Sequence, residues 1–149
     1  MRVGFEIKGL ASLGKKLERL KTETLERQIE SVQESVLLIH ETAVKKIQDN
    51  SDGTPTVRYN PKRTVNVSFP GDPPNTDKGR LVQSIQFDFK NNGLVGRVGT
   101  NLKYGAWLEF GTLKMQARPW LAPSVQEVSL AIGKIFAKNI SKGIKESAR

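Results

Sequence analysis

The chain has 149 residues, of which 37% are hydrophobic, and it contains no cysteine. This suits one domain with one modest core, and it excludes disulfides, thiolate catalysis and sulfur-ligated metal centres. Lysine and arginine outnumber aspartate and glutamate by 24 to 15, a formal charge of +9. The charges nearly balance over residues 1–50 and turn basic beyond them, which favours anionic partners, either nucleic acid or an acidic protein surface.

The N-terminal stretch is interrupted by Lys8, Lys15, Lys16 and Arg19, so it lacks the apolar run of a secretory signal. No stretch reaches the roughly 20 apolar residues of a membrane span. A soluble product of the cytoplasm, with no membrane partner, is the expectation.

In chain order, Val3, Phe5 and Ile7 alternate with Gly4, Glu6 and Lys8 and predict a short strand. Leu10, Leu13, Leu17 and Leu20 then follow at helical spacing. Leu25, Ile29, Val32, Val36, Ile39, Ala43 and Ile47 continue the stripe after a skip in register, so one bent helix or two helices both fit. Asp49 to Gly53 supplies turn-forming residues that end it. Residues 51–76 hold most of the prolines and read as a mobile, basic, irregular loop with a brief strand at Thr64–Phe69. Neither flank of this loop has enough apolar residues for its own core, so residues 1–149 form a single domain.

Asp77 is placed to cap a short helical turn that runs into a strand through Ile85, Phe87 and Phe89. Asn91-Asn92-Gly93 is a hairpin signal, and Leu94–Thr100 returns as the partner strand. Tyr104–Phe110 reads as a short apolar helix broken by Gly111-Thr112. From Pro119 a long helix presents Leu121, Val125, Val128, Ile132, Ile135 and Phe136, extended by Ile140 and Ile144. The fold expected is α+β: long N- and C-terminal helices on one face of a small, mainly antiparallel sheet.

Chemistry is sparse. His40 is the single histidine and has no cysteine to help it, so no metal site and no catalytic residue is assigned. Glu109 sits among Trp107, Leu108 and Phe110; if buried it needs a partner, with Arg80 and Arg118 the candidates. Gly93, Gly96 and Gly99 fall across a hairpin, with no Walker lysine, which argues against a phosphate loop. Lys134, Lys138 and Lys142 form a basic stripe that suits either a solvated helix face or contact with phosphates. No cofactor is expected.

Three blocks carry a resemblance. Asp77-Lys78-Gly79-Arg80-Leu81-Val82-Gln83-Ser84-Ile85 resembles a D-T-G-x-L-x-x-S-I pattern, with Lys78 in the place of threonine. Tyr104-Gly105-Ala106-Trp107-Leu108-Glu109-Phe110-Gly111-Thr112 resembles Y-A-x-x-x-E-F-G-T. Met115 to Ser124 resembles M-x-A-R-P-F-L-x-P-A, with Trp120 for phenylalanine and Ser124 for alanine. In this order they resemble the small minor-tail, or tail-completion, proteins of long-tailed bacteriophages. The resemblance implies a non-enzymatic virion protein of the neck, where head meets tail, assembled in the host cytoplasm. It implies a ring-like homo-oligomer that contacts neighbouring neck and tail-tube proteins, with non-specific contact to genomic DNA in the lumen. A tail terminator ring of the same neck, or a basic nucleic-acid-binding protein, are the alternatives.

Gly79, Leu81, Ser84, Tyr104, Trp107, Glu109, Phe110, Gly111, Thr112, Arg118, Pro119 and Trp120 are the motif residues. They read as a scaffold that fixes the sheet-to-helix junction, with the large aromatics in the core; a direct interface role is the alternative, since tryptophan and arginine are enriched at contact hot spots. Arg58, Tyr59, Lys62 and Arg63 of the loop are the candidate interface, since a basic, proline-rich arm can order on a neighbouring subunit.

Overall fold

A computed structural model describes residues 10–49, 51–59 and 61–147. The strand expected at Val3–Lys8 lies outside them. The long leucine-rich stripe forms one helix, α1, over Leu10–Gln48, so the register skip after Leu20 does not break it. At 39 residues it is roughly 58 Å long. Next come β1 (Gly53–Arg58), β2 (Arg63–Ser68), the single-turn helix α2 (Arg80–Ser84), β3 (Ile85–Lys90), β4 (Val95–Thr100), α3 (Lys103–Phe110) and α4 (Leu121–Ser147).

Helices α1 and α4 run antiparallel and make the principal packing of the molecule. Lys46 meets Glu127 at 2.8 Å near one end, and Arg27 meets Glu146 at 2.8 Å near the other. Small residues keep the helices close: a Cβ added at Gly143 would lie 2.9 Å from Arg27 Cγ. Ser31, Ser35 and Ser124 are buried, each satisfied by donating to a carbonyl four residues back. Gly143 packs against Glu23 and Arg27 one turn before the described end of α4, so roughly the first nine residues of α1, about 13 Å, extend past that end. There Leu13 and Leu17 are 53% and 57% exposed, so that part of the leucine stripe does not enter the core.

The expected sheet is two separate antiparallel hairpins, β1–β2 and β3–β4. The second turns at Asn91-Asn92-Gly93, all three with positive φ, as the asparagine–glycine signal requires. The first occupies the segment expected to be irregular. The strand read at Thr64–Phe69 is β2, and it pairs with a Pro-containing β1 in the register Gly53↔Ser68 to Arg58↔Arg63. Pro55 is compatible because β1 is an edge strand, where a missing N–H costs no ladder bond if it faces outward.

The core gathers Ala43 and Ile47 of α1, Leu81 of α2, Ile85 of β3 and Trp120, with Leu108 and Leu121 packed against it. It lies at the C-terminal end of α1, where α2, α3 and the start of α4 converge. His40 is held there structurally: its Nε2 is 3.2 Å from the Ile85 carbonyl oxygen, and its ring meets Phe87 edge-on at 5.4 Å.

Candidate functional site: the junction of α3 and α4

Helix α3 follows directly from β4. Thr100 Oγ1 ties the join by contacting Ser84 Oγ at 2.6 Å and accepting from the Leu102 amide at 3.1 Å. Leu81 is buried beneath, and Gly79 begins α2 in the left-handed region. Gly105 is buried against this join; a Cβ there would lie 2.5 Å from Thr100 Cγ2. Its carbonyl accepts from Trp120 Nε1 at 3.3 Å, and Trp120 is only 2% exposed.

Gly111 ends α3 at φ 76°, ψ −178°, a region in which only glycine is at ease. A Cβ there would also meet Met115 O at 2.9 Å and Ala117 N at 3.0 Å. Thr112 and Met115 then pair across a tight turn that holds Leu113 at its tip. The chain returns along α3, with the Arg118 amide donating to Leu108 O at 2.7 Å. Half-buried Pro119 leads into Trp120 and α4.

Glu109 has neither of the partners expected from sequence. Its carboxylate accepts from three backbone amides at the start of α4: Trp120 at 2.8 Å, Leu121 at 2.9 Å and Ala122 at 2.8 Å. The first four N–H groups of a helix have no intrahelical acceptor. Here three donate to Glu109, and the fourth position is Pro123, which has no N–H. One side chain from a different helix therefore satisfies every orphan donor, with its negative charge at the favourable end of the helix dipole. Arg118 donates instead through Nε to Ser68 O at 3.0 Å, joining the α4 approach to β2, while Arg80 is exposed.

The aromatics divide. Trp120 is in the core, whereas Trp107 and Phe110 are 54% and 83% exposed and Leu113 is fully exposed. The reason is helical spacing: Leu108 points inward with Gly105, which leaves Trp107 and Phe110, at i and i+3, on the outer side. Tyr104 lies at the boundary, 36% exposed. The α3 surface thus carries an apolar ridge rather than a buried aromatic cluster.

Of the four loop residues, two are tied down. Arg63 binds Asp77 with two bonds, Nε at 3.0 Å and an Nη at 2.7 Å, and Arg58 adds a third at 3.0 Å. Asp77 therefore anchors the β1–β2 hairpin instead of capping α2, which starts at Gly79 without a side-chain cap. The Arg63 hydrogen bond, with attraction from Arg63, Arg58 and Lys78, holds the Asp77 carboxyl below its ordinary 3.8, against opposing desolvation. Tyr59, 72% exposed, and Lys62 point outward near the hairpin turn.

Between β2 and α3 lies a cleft of about 480 Å³. Its walls include Val65 and Val67 of β2 and Tyr104, Leu108 and Met115, and its rim carries Arg58, Arg63, Lys78, Arg80 and Arg118. Among the described residues no cluster of histidine, aspartate and glutamate is arranged to hold a metal ion, and no helix is long and apolar enough to cross a membrane.

Comparison with known families defines the class as a bacteriophage tail component. A family model described as "Bacteriophage HK97-gp10, putative tail-component" matches residues 11–111, from α1 through the end of α3. The chain belongs to that family. No curated protein and no solved structure matches it.

Proposed function

We propose that the chain is a non-enzymatic structural protein of the phage particle, acting at the head–tail junction as a ring-like homo-oligomer that completes the tail or joins it to the head. The observation that carries this reading is a tightly tied scaffold that leaves large apolar side chains outside its core. Trp107, Phe110 and Leu113 form one such surface, and Leu13 and Leu17 another. Exposed apolar patches of this kind mark contact surfaces. The two lie roughly 50 Å apart along α1, and different surfaces at opposite ends suit the heterologous contacts of a ring. Tyr59 and Lys62 at the β1–β2 turn are the remaining interface candidates of the hairpin arm. Neighbouring neck and tail-tube proteins are the further partners.

The exposed stripe of Lys134, Lys138 and Lys142 on α4 supports weak, salt-dependent contact with genomic DNA passing through the lumen. Sequence-specific DNA binding at physiological salt would instead favour a nucleic-acid-binding protein. A tail terminator ring is the nearest alternative within the neck. Electron microscopy of particles made without this protein tests the reading. Separate filled heads and complete tails are expected; tails of irregular length would indicate the terminator, and normal particles would refute both.

A further inference from the structure

We infer that the cleft between β2 and α3 binds an apolar, acidic peptide segment of a different protein. This rests on the structural role proposed above only for the setting in which that protein is met. The cleft is of the size and apolar character that take a peptide's side chains. Five cations line it against a single carboxylate, Asp77, which Arg58 and Arg63 already share. Lys78 and Arg80 are exposed at the rim. Glu109, the nearest acidic group on α3, is turned away onto the α4 amides. An incoming carboxylate therefore meets uncompensated positive charge, while apolar side chains meet Val65, Val67, Tyr104 and Met115.

Main-chain pairing to the β2 edge is not the mode of recognition. The Asn66 and Ser68 carbonyls are already taken by Asn75 at 3.2 Å and Arg118 at 3.0 Å. The segment is read by its side chains.

Charge also argues against a second copy of this chain as the occupant. The contact segments named above are themselves basic: the start of α1 carries Lys15, Lys16, Arg19 and Lys21 against Glu18, and the hairpin carries Lys62 near Tyr59. Like charges brought together on docking are unfavourable.

Selection of a random peptide library on the full chain tests the inference. Enriched peptides are expected to combine carboxylates with large apolar side chains. The rim variant Lys78→Glu/Arg80→Glu and the wall variant Tyr104→Ser should each weaken the best of them by about tenfold or more. No enrichment, enrichment without an acidic bias, or unchanged binding to the rim variant would overturn it. So would self-association of the wild-type chain, seen in sedimentation velocity, that the rim variant abolishes, because a second copy would then fill the cleft. A chain that fails these tests yet is still needed for head–tail joining loses this inference and keeps the proposed function.

Discussion

At the scale of single residues, Glu109 is where the motif has its clearest physical purpose. Its carboxylate sits on three amides of α4 from α3, across the 111–120 turn. Glu109→Ala is expected to destabilise the fold by about 2 kcal/mol, with Glu109→Gln intermediate because it keeps one acceptor oxygen; urea unfolding measures both. Trp120→Ala should cost about 3–5 kcal/mol, whereas Trp107→Ser and Phe110→Ser should each stay within about 0.5 kcal/mol in the same assay, since their rings lie outside the core. A destabilisation of similar size at Trp107 would mean that it is a core residue after all. That contrast was only half legible in the sequence. The apolar run around Glu109 announces a residue needing a partner, but helix capping is usually recognised locally. An acceptor eleven to thirteen residues before its donors carries no local signature.

At the scale of elements, the long helices and the β3–β4 hairpin could be read from the chain because their signals are local: a sustained helical apolar period, and Asn91-Asn92-Gly93 with alternating strands on either side. The β1–β2 hairpin was partly hidden. Its prolines read as breaks, and what orders it lies at a distance, in the three bonds from Arg58 and Arg63 to Asp77. Asp77 titrates below its ordinary value in the folded protein, so its contribution is present above the unfolded-state value and is lost as pH falls through the folded one. The hairpin is therefore expected to stay anchored at neutral pH and to loosen only in acid below the ordinary 3.8. Asp77→Asn should remove the carboxylate part of this pH dependence and speed amide exchange in β1 and β2 at pH 7, while α1 and α4 are unaffected. Equal exchange in the two proteins would show that the anchor does not hold the hairpin.

At the scale of the whole molecule, the leucine stripe taught something that helical periodicity alone does not contain. Period fixes which residues share a face, but what covers that face depends on how far the partner helix reaches, and the described part of α4 ends about one turn beyond Gly143, which packs against Glu23 and Arg27. Leu13→Ser/Leu17→Ser should leave urea unfolding of the dissociated chain within about 0.5 kcal/mol of wild type, because both side chains are more than half exposed. The same substitutions should lower the assembled mass in light scattering if that end of α1 makes a subunit contact; unchanged assembly would remove it from the interface. The Glu109 cap bears on the same question of contact in mechanical terms. A pull on Trp107 or Phe110 enters α3, and Glu109 passes it to the backbone of α4 through three hydrogen bonds loaded side by side, which must rupture nearly together. The junction thus acts as a rivet between the outer ridge and the α1–α4 helix pair, letting tension at the surface be shared by the body of the protein rather than peel away one short helix.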